Sequence, residues 1–214
     1  MRIGTWNLAG SWSADHASLL LELGCDVLLL TECPAEATLP GYVRHATVTR
    51  ISGTDTHWST VLSTRPMEPL PDPHPASAAV RIEGVVFCAS VLPWPLAGDS
   101  WPWGPPDHRS RMQHTLVELG DAFGGRPVVW GGDWNQPLTG SLAGFSRAAR
   151  DAIATSTEAL GLQVPTRSLL GRTAGQGSID HLAVPRSWTV REAGCVPVDV
   201  RLSDHDAYWV DVCP

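Results

Sequence analysis

This sequence predicts an α/β fold in which two mixed β-sheets pack face to face with helices outside. Three observations carry that expectation. Apolar runs of strand length recur along the whole chain. Helical patterns occur singly between groups of strands. Strand pairs joined by short turns are mixed among them, so the sheets are not wholly parallel, and two packed sheets bury that many strands.

Taken in order, residues 2–8 read as a buried strand ending near Asn7. Residues 14–23 read as a helix, because Leu19, Leu20 and Leu23 recur on one face and Gly24 follows as a stop. Residues 26–31 form a short continuous apolar strand with Glu32 at its C-terminal end. Further strands fit 42–49, 57–63, 78–83 and 85–92, the last two joined by a tight turn at Glu83-Gly84. Residues 93–107 hold five prolines, three tryptophans and two glycines and read as a loop. A helix fits 108–120, a strand 127–132 and a helix 146–160, with Gly161 after it. Strands at 178–184, 188–198 and 206–212 complete the chain.

The 214 residues suggest one domain over 1–214, with no linker or internal repeat. Fifteen basic against 22 acidic residues give a net charge of −7, and every basic residue is arginine, which reads as codon bias. Such a chain does not hold duplex DNA by bulk charge, so a nucleic-acid partner requires a local basic patch. Five scattered cysteines without a CxxC pair read as reduced thiols of a cytoplasmic protein. The N-terminus does not resemble a signal peptide, and no apolar run reaches the roughly 18 residues of a membrane span. A soluble monomer is expected.

The polar residues carry the functional signal, because they fall at the ends of apolar strands. Asn7 follows Ile3-Gly4-Thr5-Trp6, Glu32 follows the run from Val27 to Thr31, and Asp133 and Asn135 follow Val128-Val129-Trp130-Gly131-Gly132. Asp180 and His181 follow Ser178-Ile179, and Asp204 and His205 precede Ala207-Tyr208-Trp209-Val210. Strand ends of a layered fold gather at one edge, where sites are built. Carboxylates crowded there repel one another unless a cation sits among them, and an all-oxygen donor set favours Mg²⁺ or Mn²⁺ over zinc.

Thr5-Trp6-Asn7, Glu32, Gly132-Asp133-Trp134-Asn135, Ser178-Ile179-Asp180-His181 and Ser203-Asp204-His205, in that order and spacing, resemble the endonuclease/exonuclease/phosphatase superfamily, also called deoxyribonuclease-I-like. The resemblance runs from residue 3 to the last strand. It implies a four-layer α/β sandwich and metal-dependent hydrolysis of a phosphate ester. It makes Glu32 the principal metal ligand, with Asn7 and Asp204 beside it. It makes Asp133 and Asn135 the pair that handles water and phosphate, His205 the catalytic histidine and Asp180 the carboxylate that orients it. Whether His205 or Asp133 takes the water proton stays open.

One family position departs from the pattern. A His or Tyr is expected on the strand before Gly132-Asp133, where this chain has Val91, or Ser90 if the register slips by one. His57, opening the strand 57–63, is the candidate to fill that gap. Arg109, near a helix start, is a candidate for phosphate contact, and Trp94, in the Trp-Pro loop, for stacking on a flat ligand. The bland readings are a surface histidine, a solvated helix face and a loop that packs on itself. His181 reads as a structural neighbour. The expected function is a divalent-metal-dependent, nuclease-like phosphodiesterase acting on a phosphate ester, nucleic acid included. The alternatives are an esterase for a small or lipid-derived phosphate, which the negative charge favours, and a non-catalytic binding module that kept the fold.

Overall fold

The computed structural model describes residues 1–172 and 176–214. Twelve strands and three α-helices are found among them: β1 (Arg2–Asn7), α1 (Ala14–Leu23), β2 (Val27–Pro34), β3 (Val43–Ala46), β4 (Thr56–Ser63), β5 (Glu68–Pro69), β6 (Ser77–Ile82), β7 (Val85–Ser90), α2 (His108–Phe123), β8 (Val128–Asp133), α3 (Arg147–Ala159), β9 (Leu162–Gln163), β10 (Asp180–Pro185), β11 (Thr189–Val196) and β12 (Ala207–Cys213). One sheet has the order β11-β12-β1-β2-β4-β3 and the other β5-β6-β7-β8-β10-β9. In each, one parallel pair lies at the centre, β1 with β2 and β7 with β8, and every other pairing is antiparallel. The two mixed sheets expected from the sequence are therefore present.

Alternation along the strands builds three apolar layers. Ile3, Leu29, Val61, Val80, Phe87, Val129, Leu182 and Val210 meet between the sheets. The opposite faces are covered separately. Trp6, Leu28 and Leu30 pack against Leu20 and Leu23 of α1. Val128, Trp130 and Ala183 pack against Met112, Leu116 and Leu119 of α2 and Ile153 of α3. The result is helix, sheet, sheet, helix: the α/β sandwich expected above.

Local chemistry sets the helix ends. Asp107 caps α2 by accepting from Ser110 N–H at 2.9 Å, and Ser146 caps α3 by accepting from Ala149 N–H at 3.2 Å. Gly24 and Gly124 close α1 and α2 in the left-handed conformation, φ +60° and +54°. The Glu83-Gly84 turn has both residues at positive φ, as a two-residue hairpin demands. The sequence reading missed β5 and β9, which are two residues each and too short to show a period.

Candidate active site

The parallel order of β1 and β2 brings their C-terminal ends side by side, with Asn7 opposite Thr31 and Glu32 next along the chain. In the other sheet Asp133 at the end of β8 lies directly across from Asp180 at the start of β10. The turn before β12 adds Asp204 and His205. Six polar residues picked from sequence thus belong to the same end of the sandwich.

Asn7 joins the two sheets. Its Nδ2 donates to Glu32 Oε1 at 3.0 Å and to Asp133 Oδ2 at 3.1 Å, while its Oδ1 accepts from Ala9 N–H at 2.8 Å. Asp133 Oδ1 accepts from Asn135 N–H at 2.9 Å, and Asn135 Nδ2 donates to Leu92 O at 3.0 Å. His205 Nδ1 lies 2.8 Å from Asp180 Oδ2, which leaves Nε2 free toward Asp204 Oδ1, 3.9 Å away. Ligand atoms of Asp133, Asp180 and His205 all lie within 4.8 Å of one another. Asp180 Oδ1 is buried without a hydrogen-bond partner among the described residues.

The surroundings explain how these groups are held. Trp6 Nε1 donates to His205 O at 3.2 Å, Ser203 Oγ donates to Asn7 O at 2.7 Å, and His205 N–H donates to Ser203 Oγ at 3.0 Å. The turn carrying His205 is thereby pinned to β1. A Cβ on Gly132, at φ +128°, would meet Ser90 O at 2.1 Å, so only glycine lets β8 lie this close to β7 just before Asp133. Glu32 and Asn135 take left-handed backbone, φ +48° and +52°, although neither is glycine. Strain of that kind costs of order 1–3 kcal/mol and persists where the surroundings fix it.

Burial and charge shift two groups. Burial pushes the Asp133 carboxyl up to about 7, with Asp180 and Glu32 adding to the rise against the opposing pull of His205. Burial alone would lower His205, but the carboxylates of Asp180, Asp133 and Asp204 together outweigh it and raise the imidazole to about 10.

Three further candidates are not brought to this cluster. His57 pairs in register with Cys33, one residue from Glu32, yet its Nδ1 lies 2.7 Å from Thr47 O and its charged neighbours are Arg44, Arg50 and Asp72. Arg109 lines a groove between α2 and α3 with Gln113, Asp151 and Ser156. Trp94 is half-buried against an aromatic cluster, 6.5 Å from Trp58 and 6.2 Å from Trp101 between ring centres. Val91 is buried in the same cluster, so the expected His or Tyr position is filled by apolar packing. His181 is wholly buried and bonded to Gln136 O at 3.0 Å, and burial lowers it to about 4.

Arg172 and Asp206 were missed. Arg172 Nε donates to Asp206 Oδ1 at 2.9 Å, and Arg172 lines the cleft beside His205. Its only sequence signal is its place in the glycine-rich segment before Ser178-Ile179-Asp180.

Comparison with known proteins shows the family and the fold. The model of the Endonuclease/Exonuclease/phosphatase family matches residues 4–205. The chain belongs to that family. Among solved structures, this family member is similar to an AP endonuclease from Archaeoglobus fulgidus, with a TM-score of 0.74, 16% identity, and coverage of 99% of this chain and 98% of that one. It is similar to a mannosyl-6-phosphatase from Bacteroides thetaiotaomicron, with a TM-score of 0.67, 14% identity, and coverage of 100% and 99%. It is also similar to an endonuclease/exonuclease/phosphatase from Beutenbergia cavernae, with a TM-score of 0.66, 18% identity, and coverage of 99% and 71%. At these identities the likeness is one of fold. No curated protein matches the sequence. Among the described residues, no helix is long and apolar enough to cross a membrane.

Proposed function

We propose that this family member is a Mg²⁺- or Mn²⁺-dependent phosphodiesterase of nuclease type. The observation that carries the reading is the approach of the His205–Asp180 pair, within 4.8 Å, to Asp133 of the Asn7–Glu32–Asp133 network at one edge of the two sheets. The donor set suits a hard divalent ion, since the side chains are carboxylates and an amide. Glu32, Asp204 and Asn7 are the residues that would hold it. Asn7 Oδ1 accepts from Ala9 N–H and keeps a second lone pair that an ion could use. When bound, the ion supplies positive charge to the phosphoryl group and makes water more acidic.

The chain's own residues do the rest. Asp133 takes the proton of the attacking water, and Asn135 steadies the loop beside it. His205, kept charged by Asp180, offers Nε2–H to an oxygen of the reacting phosphate. Asp180 fixes the ring's orientation through Nδ1. A small or lipid-derived phosphate is the second reading, favoured by the net charge of −7. A binding module has no need to keep the whole network together. Plasmid DNA, single-stranded DNA, RNA, bis-p-nitrophenyl phosphate and p-nitrophenyl phosphate, each with Mg²⁺, Mn²⁺ or EDTA, form the test. Diester turnover abolished by EDTA is the expected result. Full activity in EDTA overturns the metal role, and turnover of the monoester alone overturns the diesterase reading.

A further inference from the structure

A cleft of 180 Å³ beside His205 is lined by Arg172, Gln176, Asp180, Asp204, Asp206 and Tyr208 among others. Among the described residues, Arg172 is the one permanent cation on its wall, in a chain with 22 acidic residues. One part of its guanidinium is committed. Nε donates to Asp206 Oδ1 at 2.9 Å, and Nη2 donates to Val198 O and, at 3.5 Å, to His205 O. Asp206 is itself fixed, since its Oδ1 also accepts from Val198 N–H at 3.0 Å and its side chain is buried. The two N–H groups on Nη1 bond to no described residue, and the side chain remains 28% exposed.

A guanidinium anchored along one edge is a preset fork, losing little freedom when its other N–H groups bind oxygen. Its neighbour in the cleft is His205, whose carbonyl it already touches, so it shares a frame with the imidazole. A peptide carbonyl or water could satisfy two free N–H groups. Against the carboxylates of Asp180, Asp204 and Asp206, Arg172 and His205 are the groups on the wall that an anion would meet with favourable charge.

We propose that Arg172 is a substrate-binding residue that grips a non-bridging oxygen of the substrate's phosphoryl group with its Nη1 edge, beside His205. This rests on the phosphoesterase reading. It adds a charge-reading residue that neither the motifs nor the strand ends reveal.

The probe is inorganic phosphate, measured with Mg²⁺ present by calorimetry. Arg172→Gln should weaken phosphate binding roughly 10- to 100-fold, the range of a lost charge-assisted contact, and Arg172→Lys should fall between it and the wild type. With bis-p-nitrophenyl phosphate the loss should include a raised KM. A residue that only braces the His205 turn would lower kcat and leave phosphate affinity intact, which overturns the proposal. The unaltered protein provides a test that does not depend on variant folding. Phosphate should slow phenylglyoxal labelling of Arg172, mapped by mass spectrometry, and an unchanged labelling rate overturns the proposal. The two readings fail separately. Phosphate protection of Arg172 without turnover of any ester overturns the hydrolase reading alone. Turnover without protection overturns the role of Arg172 alone.

Discussion

Each sheet is centred on a parallel pair joined through a single α-helix, β1–α1–β2 in one and β7–α2–β8 in the other. Both helices stop at a left-handed glycine, and in both units the strands point their C-terminal ends at the same edge. In the first unit β1 ends in Asn7, and β2 carries Glu32 two residues before its end at Pro34. In the second, β8 ends in Asp133, while the chain leaving β7 places Val91 among Trp58, Ala76, Ala97 and Trp101. The same backbone device thus offers four strand ends, and side-chain choice assigns three to polar chemistry and one to packing. The scaffold provides the positions, and the residues decide the use.

The largest effect should come from removing the charge that only the first unit contributes. Glu32→Gln should lower turnover on the order of 10³-fold or more, as loss of several kcal/mol of charge stabilisation implies, with the melting temperature nearly unchanged. A variant that keeps its activity would show that the second unit suffices. Next, His205→Ala should cost ~10²- to 10⁴-fold and Asp180→Asn less. Their double variant should be little worse than His205→Ala, since the carboxylate acts through the ring. Multiplying losses in the kinetics would show the two to be independent.

Backbone spacing separates the units again. Gly132→Ala should cost about 3 kcal/mol or more in denaturant unfolding, because its Cβ meets backbone at Ser90 and its φ is +128°. Gly4→Ala in β1 should cost about 1–2 kcal/mol, since its Cβ meets the side-chain ends of Cys25 and Leu28 at 2.8 and 2.9 Å. Equal costs would erase that distinction.

The sheet that holds the second unit also holds a pH term, in β10. Burial lowers His181 to about 4, so between pH 6.5 and 4 the unfolded chain binds the extra proton. The stability it contributes is fully present above about pH 6.5 and is lost as pH falls toward 4, about 3 kcal/mol in all. Replacing His181 with Gln should flatten that part of the stability curve measured by urea unfolding. Last, Val91→His should lower stability by about 1–3 kcal/mol and add no turnover, because the imidazole would enter an apolar cluster. A gain in activity would mean that this position can serve both purposes.

What the sequence revealed follows the same division. Strand-end residues such as Asn7, Glu32 and Asp133 were legible because an apolar run marks the strand and its last polar residue marks the edge. His57 was not, because strand position gives the register with Cys33 but not the direction of a ring that turns to Thr47. The direction of Arg109 was not legible for a related reason: a helix start attracts anions, but rotation about the helix axis sends this side chain toward α3. Arg172 left almost no trace, since its partners lie 26 to 34 residues away and none is implied by a local pattern.

The left-handed backbone at Glu32 bears on protein engineering. Glycine is the residue that this conformation prefers, and replacing a strained side chain with glycine relieves the strain. A library selected for heat resistance alone would therefore enrich glycine at position 32. Its most durable members would lack the carboxylate that meets Asn7. Selection on this chain has to score turnover and durability together, or it will improve the scaffold while erasing its chemistry.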